Sequence, residues 1–148
     1  MKWAALIAWL ITALFGFTML AIWLRNGGMR QRGGGGKITP PLILSHFLLA
    51  AGGLVVWIVY LAVDKDALKW IALVALIVVA LLGWTMFFGW ARQRQQSTGS
   101  TSEVVAHSAE VGGAELRFPI PVVALHGLAA VTTVVLVFLT AIGVGSSS

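Results

Sequence analysis

Cysteine is absent from the 148-residue chain, which excludes disulfides, thiolate metal sites, iron–sulfur clusters and covalently attached c-type haem. Acidic residues are nearly as scarce. The five of them, Asp64, Asp66, Glu103, Glu110 and Glu115, all fall outside the long apolar runs. Charged residues make up 10% of the chain against 59% hydrophobic, and the mean hydropathy is +0.94. Those values exclude a water-soluble domain of ordinary composition. The four prolines are confined to two places, Pro40-Pro41 and Pro119/Pro121, so they punctuate the apolar runs and do not interrupt them.

What is present is four such runs, at 3–24, 42–63, 68–91 and 119–144. At ~1.5 Å of rise per residue each is long enough, as a helix, for a hydrocarbon layer of about 30 Å. The expected fold is all-α: one integral membrane four-helix bundle over residues 1–148, with the lipid bilayer as its surroundings and almost no chain left for a soluble domain. The first run is too long for the apolar core of a signal peptide and lacks a small-residue cleavage site. It ends in Arg25, Arg30 and Arg32, as a stop-transfer segment does, and is read as a helix.

The net charge of +5 does not point to nucleic acid, because the basic residues hug the ends of the apolar runs. Arg25, Arg30, Arg32 and Lys37 follow the first run, Arg92, Arg94 and Arg117 lie between the third and fourth, and Lys2, Lys65 and Lys69 sit on the opposite side. The positive-inside rule then places both longer connections in the cytoplasm and both termini outside, in a multi-pass protein of a bacterial inner membrane. Those connections, Gly-rich at 33–36 and polar at 93–116, read as solvated linkers, with His107 as a loop histidine.

The chain repeats itself. PLILSHFLLA at 41–50 returns as PVVALHGLAA at 121–130, with Pro41 and His46 answered by Pro121 and His126. The first and third runs align at an offset of 67, which matches Lys2-Trp3 with Lys69-Trp70, Gly16 with Gly83, Thr18-Met19 with Thr85-Met86, Trp23 with Trp90 and Arg25 with Arg92. Shared Leu and Ala would be expected of any two apolar runs, but Trp, Thr-Met and Arg in register would not. The expected architecture is therefore a tandem duplicated transmembrane helical hairpin, with repeats at 1–63 and 68–145. The copies run parallel, about an axis along the membrane normal.

Each histidine lies five residues beyond a proline suited to the first turn of a helix, which places both about 7–8 Å along their helices. Thr18-Met19 and Thr85-Met86 lie six or seven residues inside Arg25 and Arg92, at about 9–10 Å. One level of the bundle is thus expected to gather two histidines and two Thr-Met pairs, beneath a rim holding Arg25 and Arg92. Faces shared with the histidines are mostly small, with Ala50 and Gly53 in one copy and Ala129, Ala130 and Thr133 in the other. Small residues in membrane helices ordinarily mean close packing, though they also leave room for a flat cofactor.

A single histidine in a membrane span is ordinarily an interhelical hydrogen-bonding group, yet an ionisable residue there is a functional candidate by default. A symmetric pair asks for more. Two imidazoles make a poor zinc or manganese site, which wants about four donors. They are what a six-coordinate b-type haem iron requires, since the porphyrin supplies the other four donors. His46 and His126 are then the metal ligands. Arg25 and Arg92 are candidates to pair with the haem propionates, and Thr18 and Thr85 either orient the imidazoles or bond back to their own helices. Met19 and Met86 are alternative axial ligands or packing residues, and Trp23 and Trp90 are read as interfacial anchors.

Four spans with a histidine on each of two helices resemble the membrane b-type cytochromes, the class that includes small cytochromes b and the haem-bearing anchors of respiratory dehydrogenases. The resemblance covers the four spans and carries over His46 and His126. It implies an electron-transfer or haem-handling protein more readily than a stand-alone enzyme. The cofactor would be one haem b near the cytoplasmic face, with quinone, respiratory-complex subunits or a second copy of the chain as candidate partners. Members with two stacked haems need four histidines, and this sequence offers one pair. The alternatives are a small transporter or channel that uses the histidine pair as a proton or substrate site, and a structural or assembly subunit.

Overall fold

A computed structural model of the chain describes residues 1–30, 38–98 and 113–144. Arg32, Lys37, the glycine run at 33–36, Glu103, His107 and Glu110 lie outside them. Four helices carry the fold: α1 (Lys2–Arg25), α2 (Pro40–Val63), α3 (Asp66–Thr98) and α4 (Ile120–Ala141). Each is long and apolar enough to cross a membrane.

The helix ends follow local chemistry. Thr39 and Pro119 stand as extended N-caps, and the prolines that follow occupy first-turn positions where a missing N–H costs nothing. The Asn26 side chain closes α1 by donating from Nδ2 to the Ile22 carbonyl at 2.7 Å. Asp64 ends α2 in the left-handed region at φ 50°, with its N–H on the Tyr60 carbonyl, so the two-residue link to α3 turns within one residue.

α1 packs most closely on α4, and α2 on α3, while α1 with α2 and α3 with α4 complete the ring more loosely. The tight pairs therefore join the first half of the chain to the second. α2 and α4, which carry the histidines, lie across the ring from one another. Two clusters fill the interior. One gathers Ala5, Trp9, Trp57, Tyr60, Ala72, Leu73, Leu76, Val137 and Ala141, and the other Trp23, Trp90, Ile38, Ile43, Ala114 and Phe118. Beside the first cluster, Lys2 pairs with Asp64 and Lys69 with Asp66, each at 2.8 Å.

Two expectations are corrected. The third helix does not stop at Ala91 but continues through Arg92 to Thr98, because Arg and Gln are good helix formers and no glycine or proline intervenes before Gly99. The end of the second connection is also not a solvated linker. Ala114–Arg117 forms a 3-10 turn that buries Ala114 and Glu115, and Phe118 follows them into the tryptophan cluster. The Glu115 carboxylate accepts the Ile38 N–H at 3.2 Å and so ties the start of α2 to the approach to α4.

Candidate functional site: a histidine pair inside the bundle

His46 and His126 meet. Their ring centroids lie 6.4 Å apart with planes tilted by 58°. Both rings are held in the same way, each by the neighbouring helix of its tight pair. His46 on α2 bonds from Nδ1 to the Val79 carbonyl of α3 at 3.1 Å, and His126 on α4 bonds from Nδ1 to the Thr12 carbonyl of α1 at 3.0 Å. A carbonyl can only accept, so each bond places the proton on Nδ1 and leaves Nε2 of the neutral ring as the lone-pair nitrogen.

A carbonyl inside an α-helix already serves the N–H four residues on, and a side chain there normally shields it. Here the residues four beyond Val79 and Thr12 are Gly83 and Gly16. A Cβ on Gly16 would stand 3.2 Å from His126 Cε1, and one on Gly83 would stand 3.4 Å from His46 Cε1. The glycines thus open the lane through which each imidazole reaches its carbonyl.

The layer is not fully symmetric. On the α1/α4 side the Thr12 and Thr133 hydroxyls meet at 3.1 Å, with Thr133 fully buried. On the α2/α3 side the corresponding offsets fall on Val79 and Gly53, and Gly53 is packed against Trp9. Neither histidine lines the shallow apolar groove that runs along α2 from Ser45 to Val56 opposite Ala75.

Of the other residues singled out from sequence, few touch the pair. Thr18 and Thr85 are exposed, and their hydroxyls donate to the Leu14 and Leu82 carbonyls of their own helices. Orientation of the imidazoles is instead the work of main-chain oxygens at Thr12 and Val79. Met19 and Met86 are half-buried and pack on the tryptophan cluster. Arg25 and Arg92 are exposed at the same end of the bundle, two residues beyond the tryptophans.

Trp23 and Trp90 are not interfacial anchors with their polar edge in water. They are 0% and 7% exposed, and among the described residues neither indole Nε1 has a hydrogen-bond partner. Their cluster begins one helical turn from the histidines, at Ile43 on α2 and Val123 on α4. The glycine lanes and these buried indoles were missed as site features in the sequence, although both belong to the 67-residue register that matches Gly16 with Gly83 and Trp23 with Trp90.

The fold and site define a class: an all-helical bundle, apolar outside, with two imidazoles held close together within, their planes tilted. No protein-family model, no curated protein and no solved structure matches the chain.

Proposed function

We propose that the chain is a duplicated four-helix membrane protein that binds one b-type haem between His46 and His126 and serves electron transfer or haem handling. The observation that carries this reading is the imidazole pair itself. Two imidazoles bonded to one metal from opposite sides, at about 2.0–2.1 Å per bond, bring their ring centroids roughly 6 Å apart, whereas neighbouring positions of a tetrahedral ion bring them to roughly 5 Å. The 6.4 Å separation fits the opposed arrangement, and rotation of one ring about that axis accommodates the tilt of 58°.

The donor set supports the same choice. Metal-ligating histidines characteristically donate their other N–H to a carbonyl or carboxylate, which fixes the ring and raises its basicity, and both rings do so here. No group of three or more His, Cys, Asp or Glu side chains gathers among the described residues. A bare ion would therefore lack ligands, while haem iron brings four of its own. When bound, such a group supplies reversible one-electron chemistry. The chain's part is to hold both axial nitrogens through α2 and α4, to keep the surroundings apolar, and to set local charge through Arg25 and Arg92 at the rim.

Membrane insertion and duplication are supported by the outward faces. Leu14 and Leu81, 67 residues apart, are 65% and 61% exposed, and Leu48 and Leu128, 80 apart, are 66% and 67% exposed. A surface so apolar is suited to lipid. The two carbonyl acceptors, the two glycines and the two tryptophans all keep the offset of 67, as a parallel duplication requires.

The absorption spectrum of the chain purified after expression with ample haem tests the proposal. The wild type is expected to show a low-spin Soret band. His46→Ala and His126→Ala should each abolish the low-spin form, because either loss leaves the iron five-coordinate, and His107→Ala should leave it unchanged. Absence of a Soret band in the wild type, or its survival unaltered in both histidine variants, overturns the haem reading in favour of a transporter or structural subunit.

A further inference from the structure

We propose that the indole N–H groups of Trp23 and Trp90 anchor the carboxylate edge of the porphyrin held by His46 and His126, an assignment that rests on the haem reading above.

The starting point is a pair of unmet donors. An indole N–H can only donate, and burying a polar group without a partner costs on the order of 1–3 kcal/mol. Trp23 and Trp90 both do so, at 0% and 7% exposure, in one shared cluster. A membrane tryptophan ordinarily escapes this cost by turning its N–H to the headgroup layer. That both copies of a repeated position forgo it points to an acceptor that arrives with a ligand.

Position narrows the acceptor. Trp23 lies seven residues beyond Gly16, and Trp90 seven beyond Gly83. Seven residues are almost two full turns, so each tryptophan shares the helix face of the glycine that backs a histidine, about 10 Å further along. Met19 and Met86 lie between, three residues from the glycines, and an unbranched thioether repacks readily around a flat ligand. The cluster also includes Ile43 and borders Val123, each one turn from a histidine. The site therefore offers two nitrogen ligands at one level and two N–H donors at a second level on the side of Arg25 and Arg92. A porphyrin with two propionates on one edge has the matching chemistry: one central metal and two adjacent anionic acceptors. The exposed arginines two residues beyond contribute positive potential that favours the ionised carboxylates, and it is opposed by the buried carboxylate of Glu115, which accepts the Ile38 N–H beside the same cluster.

The test compares haem b with its dimethyl ester, which keeps the iron and macrocycle but has no carboxylate, by Soret titration of the full-length chain in detergent. Trp23→Phe and Trp90→Phe retain an aromatic ring and delete the donor. Each should weaken haem b binding about 10-fold or more, as loss of a hydrogen bond to a charged acceptor does, with the double variant weaker still. All should bind the ester as the wild type does, with the low-spin band preserved, and ester binding also reports that the variant has folded. Variants that hold haem b as tightly as the wild type overturn the assignment, and so do variants that lose haem b and ester equally, because the tryptophans then act through packing. Should a variant not fold, indole ¹⁵N–¹H resonances of the wild type decide: in the ferrous low-spin form two of them should differ between haem b and its ester, and identical positions overturn the assignment. Failure of the wild type to bind either porphyrin is a separate result, since it removes the haem reading itself.

Discussion

At the scale of single residues, the site depends on two hydrogen atoms where other residues carry a Cβ. Gly16 and Gly83 leave open the approach of an imidazole to a neighbouring helix carbonyl, with less room to spare at Gly16 than at Gly83. At Gly16 an added Cβ would stand 3.2 Å from His126 Cε1, closer than ordinary packing, while the corresponding distance at Gly83 is 3.4 Å. Overpacking a tight contact costs about 1–3 kcal/mol. Replacing a helix glycine by alanine otherwise gains at most about 1 kcal/mol. Gly16→Ala is therefore expected to lower the thermal midpoint in detergent and Gly83→Ala to leave it nearly unchanged. Gly127→Ala should raise it, because nothing lies within 4 Å of a Cβ there. A Gly16→Ala protein as stable as the Gly127→Ala protein would show that the lane is not needed. The histidines were legible in the sequence because a polar residue in an apolar run is conspicuous. The carbonyls of Thr12 and Val79 were not, since a main-chain acceptor leaves no mark on residue type.

At the scale of elements, the four helices and their proline-marked starts were legible because length, hydropathy and proline position bear directly on single helices. Pairing was not. A duplicated hairpin suggests that α1 should pack on α2 and α3 on α4, yet the close partners are α1 with α4 and α2 with α3. Small residues favour this: Gly16 and Gly83 face helices from the other half, and Gly53 faces Ala75 of α3 as well as Trp9 of its own half. The Thr12/Thr133 contact across α1 and α4 is a second consequence, and its energy is limited by proton count. Each hydroxyl is also within 2.8 Å of a carbonyl of its own helix, Ala8 for Thr12 and Ala129 for Thr133. With one proton per hydroxyl, the bond between the helices forms only when one threonine gives up its own carbonyl. A double-mutant cycle of Thr12→Val and Thr133→Val should thus yield a coupling of about 0.6 kcal/mol or less, the average for hydrogen bonds between membrane helices. A coupling above ~2 kcal/mol would mean that the pair locks α1 to α4, contrary to this count.

At the scale of the whole molecule, polarity is turned inside out. The imidazoles and Thr133 sit within while Leu14, Leu48, Leu81 and Leu128 face outward, an order that favours lipid around the bundle. The charges then decide which end faces which compartment. The end of the bundle bearing the tryptophan cluster carries Arg25, Arg30, Arg92, Arg94 and Arg117, while the other carries Lys2, Lys65 and Lys69, two of them paired with Asp64 and Asp66. Five arginines at one end outweigh three lysines at the other, so the arginine end should face the cytoplasm and the histidine layer should lie nearer to it. The absence of cysteine makes this directly measurable, because one introduced thiol is the only thiol in the chain. Lys65→Cys and Val144→Cys, both at exposed positions on the lysine side, should react with a membrane-impermeant maleimide in intact cells. Arg30→Cys should react only after the cells are opened. The reverse pattern would invert the molecule in the membrane and put the histidine layer nearer the outer face. Under the haem reading proposed above, the electron-transfer partner would then have to be sought on the outer side.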